Sequence, residues 1–302
     1  MRLPYTLYIW GTALRIPYFI ISIIPPILAF CLFLKENAAF TPKTGVAFSL
    51  LLAGTVCMHG ATNLFNDYYD TINGVDNKNS VGGSRVVLNG LLSLTELKFA
   101  GLLCYALSFL MFMALAIATQ RFWIVPGWLF GAAASFFYVG PPLAYGYRGW
   151  GEAGVFVSMG WLLLFGSYLA LSGRFSWSAF WLADIVGLMS AEVLFFQSLP
   201  QIETDPLHGK YTLASRLGCR HSARIQTLAW PLTWLACIIL VLTGTINQGG
   251  LLCLLGIPLY VKSQSHLYKW SGGSSPQQLY DSGSLVRGMF FITSISLFIS
   301  IM

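Results

Sequence analysis

Long apolar stretches separated by short polar ones dominate this chain. Apolar runs cover residues 18–34, 46–65, 99–120, 122–138, 153–173 and 177–199, and a longer one covers 225–261. A helix needs about 20 such residues to cross about 30 Å of hydrocarbon, so each of the first six predicts one membrane span. The 225–261 run is too long for one span and breaks at "GTINQGG", which predicts two. Residues 285–302, with Arg287 as their only charge, complete a set of nine. No linker, low-complexity tract or soluble domain interrupts the pattern. The expectation is an all-α integral membrane protein, one membrane-embedded domain over residues 1–302.

Composition agrees. Of 302 residues, 56% are hydrophobic and 9% charged, against about a quarter charged in soluble domains. Nine spans put the termini on opposite sides, so the basic residues choose the orientation. Only Lys35, Lys43, Arg121 and Arg174 of the seventeen fall on one side. The other side, holding the N-terminus and the loops after the second, fourth, sixth and eighth spans, is therefore expected to be cytoplasmic, in a cell inner membrane. The net charge of +6 follows from this bias and from contact with an anionic leaflet. With no soluble basic domain, nucleic acid is excluded as a partner. The N-terminal segment lacks a small-residue cleavage site, and residues 15–26 belong to the first span, so it is expected to be retained. Six cysteines without CxxC spacing read as reduced, mostly buried thiols, and the four histidines show no ligand spacing.

Charge gathers in two loops on the expected cytoplasmic side, 66–98 and 203–224. The first opens with "NLFNDYYDTINGVD", three aspartates and three asparagines in fourteen residues. If the second helix continues past the interface, Asn63, Asp67 and Asp70 share one stripe at i, i+4 and i+7, with Asn66 beside them. Asn73-Gly74 favours a turn that folds Asp76 back toward that stripe. Carboxylates so close repel one another unless a cation intervenes. Mg²⁺ suits them, being a hard ion that combines one or two carboxylates with water and substrate phosphates. Lys78 and Arg85, around the flexible "VGGSR", suit the remaining phosphate charge. In the second loop Gln197, Gln201 and Asp205 repeat a four-residue step, Pro200 predicts a kink, and Lys210 and Arg216 add cations. The two loops together suggest a faint twofold internal repeat around one cavity.

"NLFNDYYD" with "GVD", then "SVGGSRVVLNGLLS", and later "DPLHGKYTLASRLG", resemble the two aspartate-rich signatures of the UbiA superfamily of intramembrane prenyltransferases. "FFYVGPPLAYGYRGWGEAGVFVSMGWLLLFGSYLAL" and "LRIPYFIISIIPPILAF" resemble the middle segment and first helix of its menaquinone branch, the dihydroxynaphthoate prenyltransferases. The resemblance covers about residues 15–218. It implies nine helices around a central cavity with a polar cytoplasmic cap. It also implies Mg²⁺-dependent transfer of a prenyl chain from polyprenyl diphosphate to an aromatic acceptor, within a lipid bilayer. By motif, Asp67, Asp70 and Asp205 would bind metal. Asp67, Asp70, Arg85, Lys210 and Tyr138 would carry the chemistry, and Asn63, Asp76, Arg15 and Arg148 would bind substrate, joined, on their position and chemistry alone, by Asn66, Lys78, Gln201 and Arg216.

The resemblance breaks at Gln197 and Gln201, where the family's second signature carries Asn or Asp. Either one Mg²⁺ suffices, with Lys210 and Arg216 carrying more of the phosphate charge, or the substrate differs. Another aromatic or a lipid-ether acceptor stays open. A transporter would also use intramembrane acids, but it predicts charges at mid-membrane in several helices, whereas here they gather at one face.

Overall fold

A computed structural model describes residues 3–37, 40–78, 80–273 and 275–302. Among them no strand occurs. A short helix α1 (Leu3–Ala13) precedes α2 (Ile20–Asn37), α3 (Pro42–Ile72), α4 (Leu94–Thr119), α5 (Ile124–Phe137), α6 (Gly151–Ser172), α7 (Trp177–Ser198), α8 (Leu213–Leu242), α9 (Ile257–Ser271) and α10 (Pro276–Ile301). Seven of the described helices are long and apolar enough to cross a membrane: α2 with its lead-in turn, α3, α4, α6, α7 with its tail, α8 and α10. The other two expected spans fall on shorter elements. Residues 122–138 form the 14-residue α5, and the chain after α8 winds through tight turns over Gln248–Gly256 before α9. Gly249, Gly250 and Gly256 there are poor helix formers, and Pro258 lacks a donor, which accounts for the broken geometry.

Local sequence sets the helix ends. Thr41 accepts from the Thr44 amide while Thr44 reaches back to the Thr41 amide, and Pro42 occupies the first turn, so α3 starts sharply. Ser93 and Glu96 form the same reciprocal cap on α4.

In lipid the hydrophobic effect does not draw helices together, and close packing through small residues takes its place. The Phe112 ring of α4 lies over Gly54 of α3, and the Ser108 hydroxyl donates to the Gly54 carbonyl at 2.8 Å. A Cβ at Gly160 would collide with the Ala183 carbonyl, and one at Gly187 would meet the Phe156 carbonyl, so α6 and α7 touch backbone to backbone. Over Phe156–Phe165 the hydrogen bonding of α6 widens to π-type turns, a distortion that recurs at functional sites.

The core is asymmetric. Met189 and Phe196 of α7, Trp230 of α8 and Met289 and Phe290 of α10 pack solidly. On the other side, α2, α3, α5, α6 and α7 surround a cavity of about 490 Å³. Near the far ends of α2 and α6, Tyr168 donates to Glu36, Ser176 donates to Glu36 at 2.9 Å, and Arg121 donates to the Ala170 carbonyl at 2.7 Å.

Candidate active site

The last turns of α3 carry the polar stripe. Asn63, Asp67 and Asp70 are all buried, as is Asp76 in the loop beyond. The Asn73-Gly74 turn returns the chain so that the Asp76 amide donates to the Asp70 carbonyl at 3.0 Å, with Gly74 at φ 73°. The other acid comes from the loop after α7, where Asp205 opens a tight turn and is also buried. His208 of that turn lies 3.2 Å from the Asn77 amide and joins the two loops.

Two cations enter this group. Arg15, between α1 and α2, pairs with Asp67, and Lys210 approaches Asp70 at 3.2 Å. Tyr147 donates its hydroxyl to Asp70, and its ring lies 5.4 Å from the Lys210 ammonium. Tyr147 escaped the sequence reading, because nothing in the pattern distinguishes it from the neighbouring Tyr138 and Tyr145. Asn63 donates to the Leu14 carbonyl at 2.8 Å, which ties the Arg15 segment to α3.

Electrostatics follow from burial and crowding. Burial, then the charge of Asp70, pushes the Asp76 carboxyl up to about 6. Burial also pushes Asp205 up to about 6, against the pull of Lys210. Burial lowers the Lys210 ammonium, but Asp70 and Asp205 outweigh it and hold the group above its ordinary value. Arg15 behaves likewise, with Asp67 and Asp76 outweighing burial. Burial, then the Asp70 charge, raises the Tyr147 phenol. Four aspartates and two cations share this site, a formal deficit of two positive charges.

The remaining residues expected at the site make no contact with these acids among the described hydrogen bonds and ion pairs. Arg85, at φ 60°, donates to the carbonyls of Ser80 and Lys78 and braces its own loop. Lys78 is exposed. Arg148 is exposed and donates to the Pro142 carbonyl at 3.1 Å, and Arg216, also exposed, donates to the Tyr211 carbonyl at 3.2 Å. Gln197, Gln201 and Asp205 do not share a helical stripe. The chain leaves α geometry after Ser198, because Pro200 and Pro206 cannot continue it. Gln197 lines the cavity, while Gln201 packs against Gly82.

The cavity opens beneath the acids. Arg15, Asn63, Asn66, Tyr138 and Gln197 line its polar end, and Leu51, Phe112, Trp123, Phe165 and Leu169 line the rest.

Among the described residues no three acidic, imidazole or thiol groups converge as a ready ligand set, so Asp67, Asp70 and Asp205 do not form a preassembled cage. The donors nevertheless fit Mg²⁺ completed by phosphate and water. Asp67 Oδ2 and Asn66 Oδ1 are buried oxygens with no hydrogen-bond partner among the described residues, and the charge deficit matches a divalent ion.

The sequence profile of the UbiA prenyltransferase family matches residues 23–295. The chain belongs to this family. It is 30% identical to a 1,4-dihydroxy-2-naphthoate octaprenyltransferase of Mycobacterium tuberculosis, over 74% of this chain and 75% of that one. It is 25% identical to a 2-carboxy-1,4-naphthoquinone phytyltransferase of Synechocystis, over 97% and 92%. Its fold is similar to that of a UbiA homolog from Archaeoglobus fulgidus bound to GPP and Mg²⁺, with a TM-score of 0.60 at 12% identity, covering 96% of this chain and 99% of that one. This UbiA-family fold sets the acid cluster at one end of an apolar cavity.

Proposed function

We propose that this protein transfers a polyprenyl chain from its diphosphate to an aromatic acceptor of the 1,4-dihydroxy-2-naphthoate type, with Mg²⁺, in quinone biosynthesis. The observation that carries this reading is the juxtaposition of four buried carboxylates and two half-buried cations with an apolar cavity. A diphosphate needs the first and a hydrocarbon tail needs the second. The naphthoate acceptor is supported by what the two relatives are named for.

Asp67 and Asp70, with Asp76 and Asp205 across from them, would hold Mg²⁺-diphosphate, and Asn63 and Asn66 would orient it. The bound ion supplies charge neutralisation as diphosphate departs. Lys210 and Arg15 face the same leaving group and stabilise the charge that grows on it. When the allylic C–O bond breaks, its electron pair leaves with diphosphate and the prenyl carbon becomes cationic. Tyr138, at the cavity's polar end, presents an aromatic ring whose face suits that cation. The acceptor carbon then forms the new C–C bond and releases a proton or, where it bears a carboxylate, carbon dioxide. The apolar cavity walls exclude water, which would otherwise capture the cation.

The same reading supplies the membrane arrangement. Nine segments cross the inner membrane, counting α5 and the Gln248–Ser271 stretch. The N-terminus and both polar loops lie on the cytoplasmic side, and the lipid tail enters from the bilayer. The test is direct. Purified protein in nanodiscs, given labelled prenyl diphosphates, Mg²⁺ and a panel of naphthoate, benzoate and lipid-ether acceptors, should form product with a dihydroxynaphthoate. No product with any acceptor would sink the proposal, and product only with another class would move the acceptor.

A further inference from the structure

One to three turns below the acids, the cavity wall changes character. Thr55, His59 and Asn63 follow one another on α3 at four-residue steps, and all three line the cavity. Ser22 of α2, 1% exposed, donates to the Phe19 carbonyl at 3.1 Å and lies 2.7 Å from His59 Nδ1. The Ser22 contact holds the imidazole by its Nδ1 edge and turns Nε2 the other way. His59 Nε2 has no hydrogen-bond partner among the described residues.

Thr55, 5% exposed, has a buried hydroxyl oxygen that is likewise without a partner. A helical threonine ordinarily donates back to the carbonyl four residues earlier. Thr62, two turns on, does so to Met58 at 2.9 Å, and Thr55 does not. Leu51, Met58 and Phe112 surround this pair with apolar wall. A hydrocarbon tail has no use for either group, and leaving the buried Thr55 hydroxyl unpaired costs its desolvation.

Resting on the prenyl-transfer reading above, we propose that Thr55 and His59 form the seat of the aromatic acceptor. One phenolic oxygen hydrogen-bonds to His59 Nε2, and the oxygen para to it meets Thr55 Oγ1. Side chains one turn apart stand about 5–6 Å from each other, about the separation of para oxygens across a ring. His59 lies about 12 Å along α3 from Asp67, which leaves depth for a diphosphate and its first prenyl carbon.

The experiment is a crossed series in nanodiscs, without oxygen and at fixed Mg²⁺, varying the acceptor at saturating geranyl diphosphate and then geranyl diphosphate at saturating acceptor. The acceptors are 1,4-dihydroxy-2-naphthoate and its 1-hydroxy and 4-hydroxy relatives. Thr55→Val and His59→Ala should each raise the KM for the dihydroxy acceptor about tenfold, the loss of one hydrogen bond. The KM for geranyl diphosphate should stay within about twofold, since neither residue faces the diphosphate. Each variant should also stop discriminating against a different monohydroxy acceptor, and His59→Gln should restore most of the affinity. Calorimetric binding of dihydroxynaphthoate alone should follow the same order. Thr55→Val keeps the side-chain shape, so it carries the test if His59→Ala folds poorly.

An unchanged acceptor KM, intact discrimination, or a shift in donor KM instead would overturn the assignment, the last showing that the wall serves the prenyl tail. Wild-type protein that transfers to no naphthoate sinks the underlying function. Wild-type turnover with indifferent variants sinks this site alone.

Discussion

Lys210 and Asp70, 140 positions apart in the sequence, meet at 3.2 Å, and Tyr147 donates its hydroxyl to the same carboxylate. The contact closes the loop after α7 onto the end of α3 and puts a cation where a leaving diphosphate would collect charge. Replacing Lys210 with Met keeps the length of the side chain and removes that charge. The expected loss in kcat is about 10²–10³-fold, the usual effect of removing one preorganised charge-stabilising donor. Steady-state prenyl transfer measures it. A variant within a few-fold of wild type would mean that Lys210 only braces the loop.

Gly83 makes a sharper structural test. It sits at φ 79°, and a Cβ there would collide with both oxygens of the Asp76 carboxylate. Gly83→Ala should therefore displace Asp76, with a backbone strain of about 1–2 kcal/mol in addition, and weaken Mg²⁺ dependence about tenfold. Its neighbour is the control. A Cβ at Gly82 meets only the amide end of Gln201, a flexible side chain that can move aside. Gly82→Ala should stay within about threefold of wild type in a Mg²⁺ titration of activity. Equal sensitivity of the two would refute the role given to Asp76.

These residues show where sequence reasoning succeeds and where it stops. The stripe of Asn63, Asp67 and Asp70 was legible because helical periodicity alone puts i, i+4 and i+7 together. The Asp76 return was legible from Asn73-Gly74. The step Gln197, Gln201, Asp205 misled, since two prolines end the helix that the spacing assumes. Arg15 and Tyr147 reach the acids through tertiary contacts between distant segments, which no local pattern encodes, so Arg15 was expected only through the family resemblance and Tyr147 not at all. The apolar runs located seven spans, but their lengths did not reveal that α5 would be short or that Gln248–Gly256 would wind tightly.

The arginines separate by contact. Arg15 is paired with Asp67 and has a buried Nε without a partner among the described residues, so it faces the site. Arg148 and Arg216 are exposed and bound to backbone carbonyls. Arg15→Ala leaves Asp67 a buried, uncompensated charge and should both destabilise the protein by about 3–5 kcal/mol and abolish measurable transfer. Arg148→Ala and Arg216→Ala should retain at least about half of the activity, as surface substitutions away from special features do. Thermal melts beside activity assays distinguish these outcomes, and a dead Arg216→Ala would restore that residue to the substrate site.

The raised carboxyls of Asp76 and Asp205 lead to a pH effect of definite sign. Both rise from an ordinary value of 3.8 to about 6 in the folded protein. The folded state therefore holds protons that the unfolded state releases, and the stability this confers is full below pH 3.8 and lost as pH rises through 6. Without divalent ions, the melting temperature attributable to this cluster should fall between about pH 4 and 7. Asp76→Asn, which cannot ionise, should flatten that slope. Mg²⁺ with a non-hydrolysable prenyl diphosphate analogue should reverse it, because binding requires both carboxyls deprotonated and releases their protons. Melts across this range with and without the ligand pair, in wild type and Asp76→Asn, decide the matter. A slope that Asp76→Asn leaves untouched would show that its carboxyl is already ionised in the folded protein near pH 4.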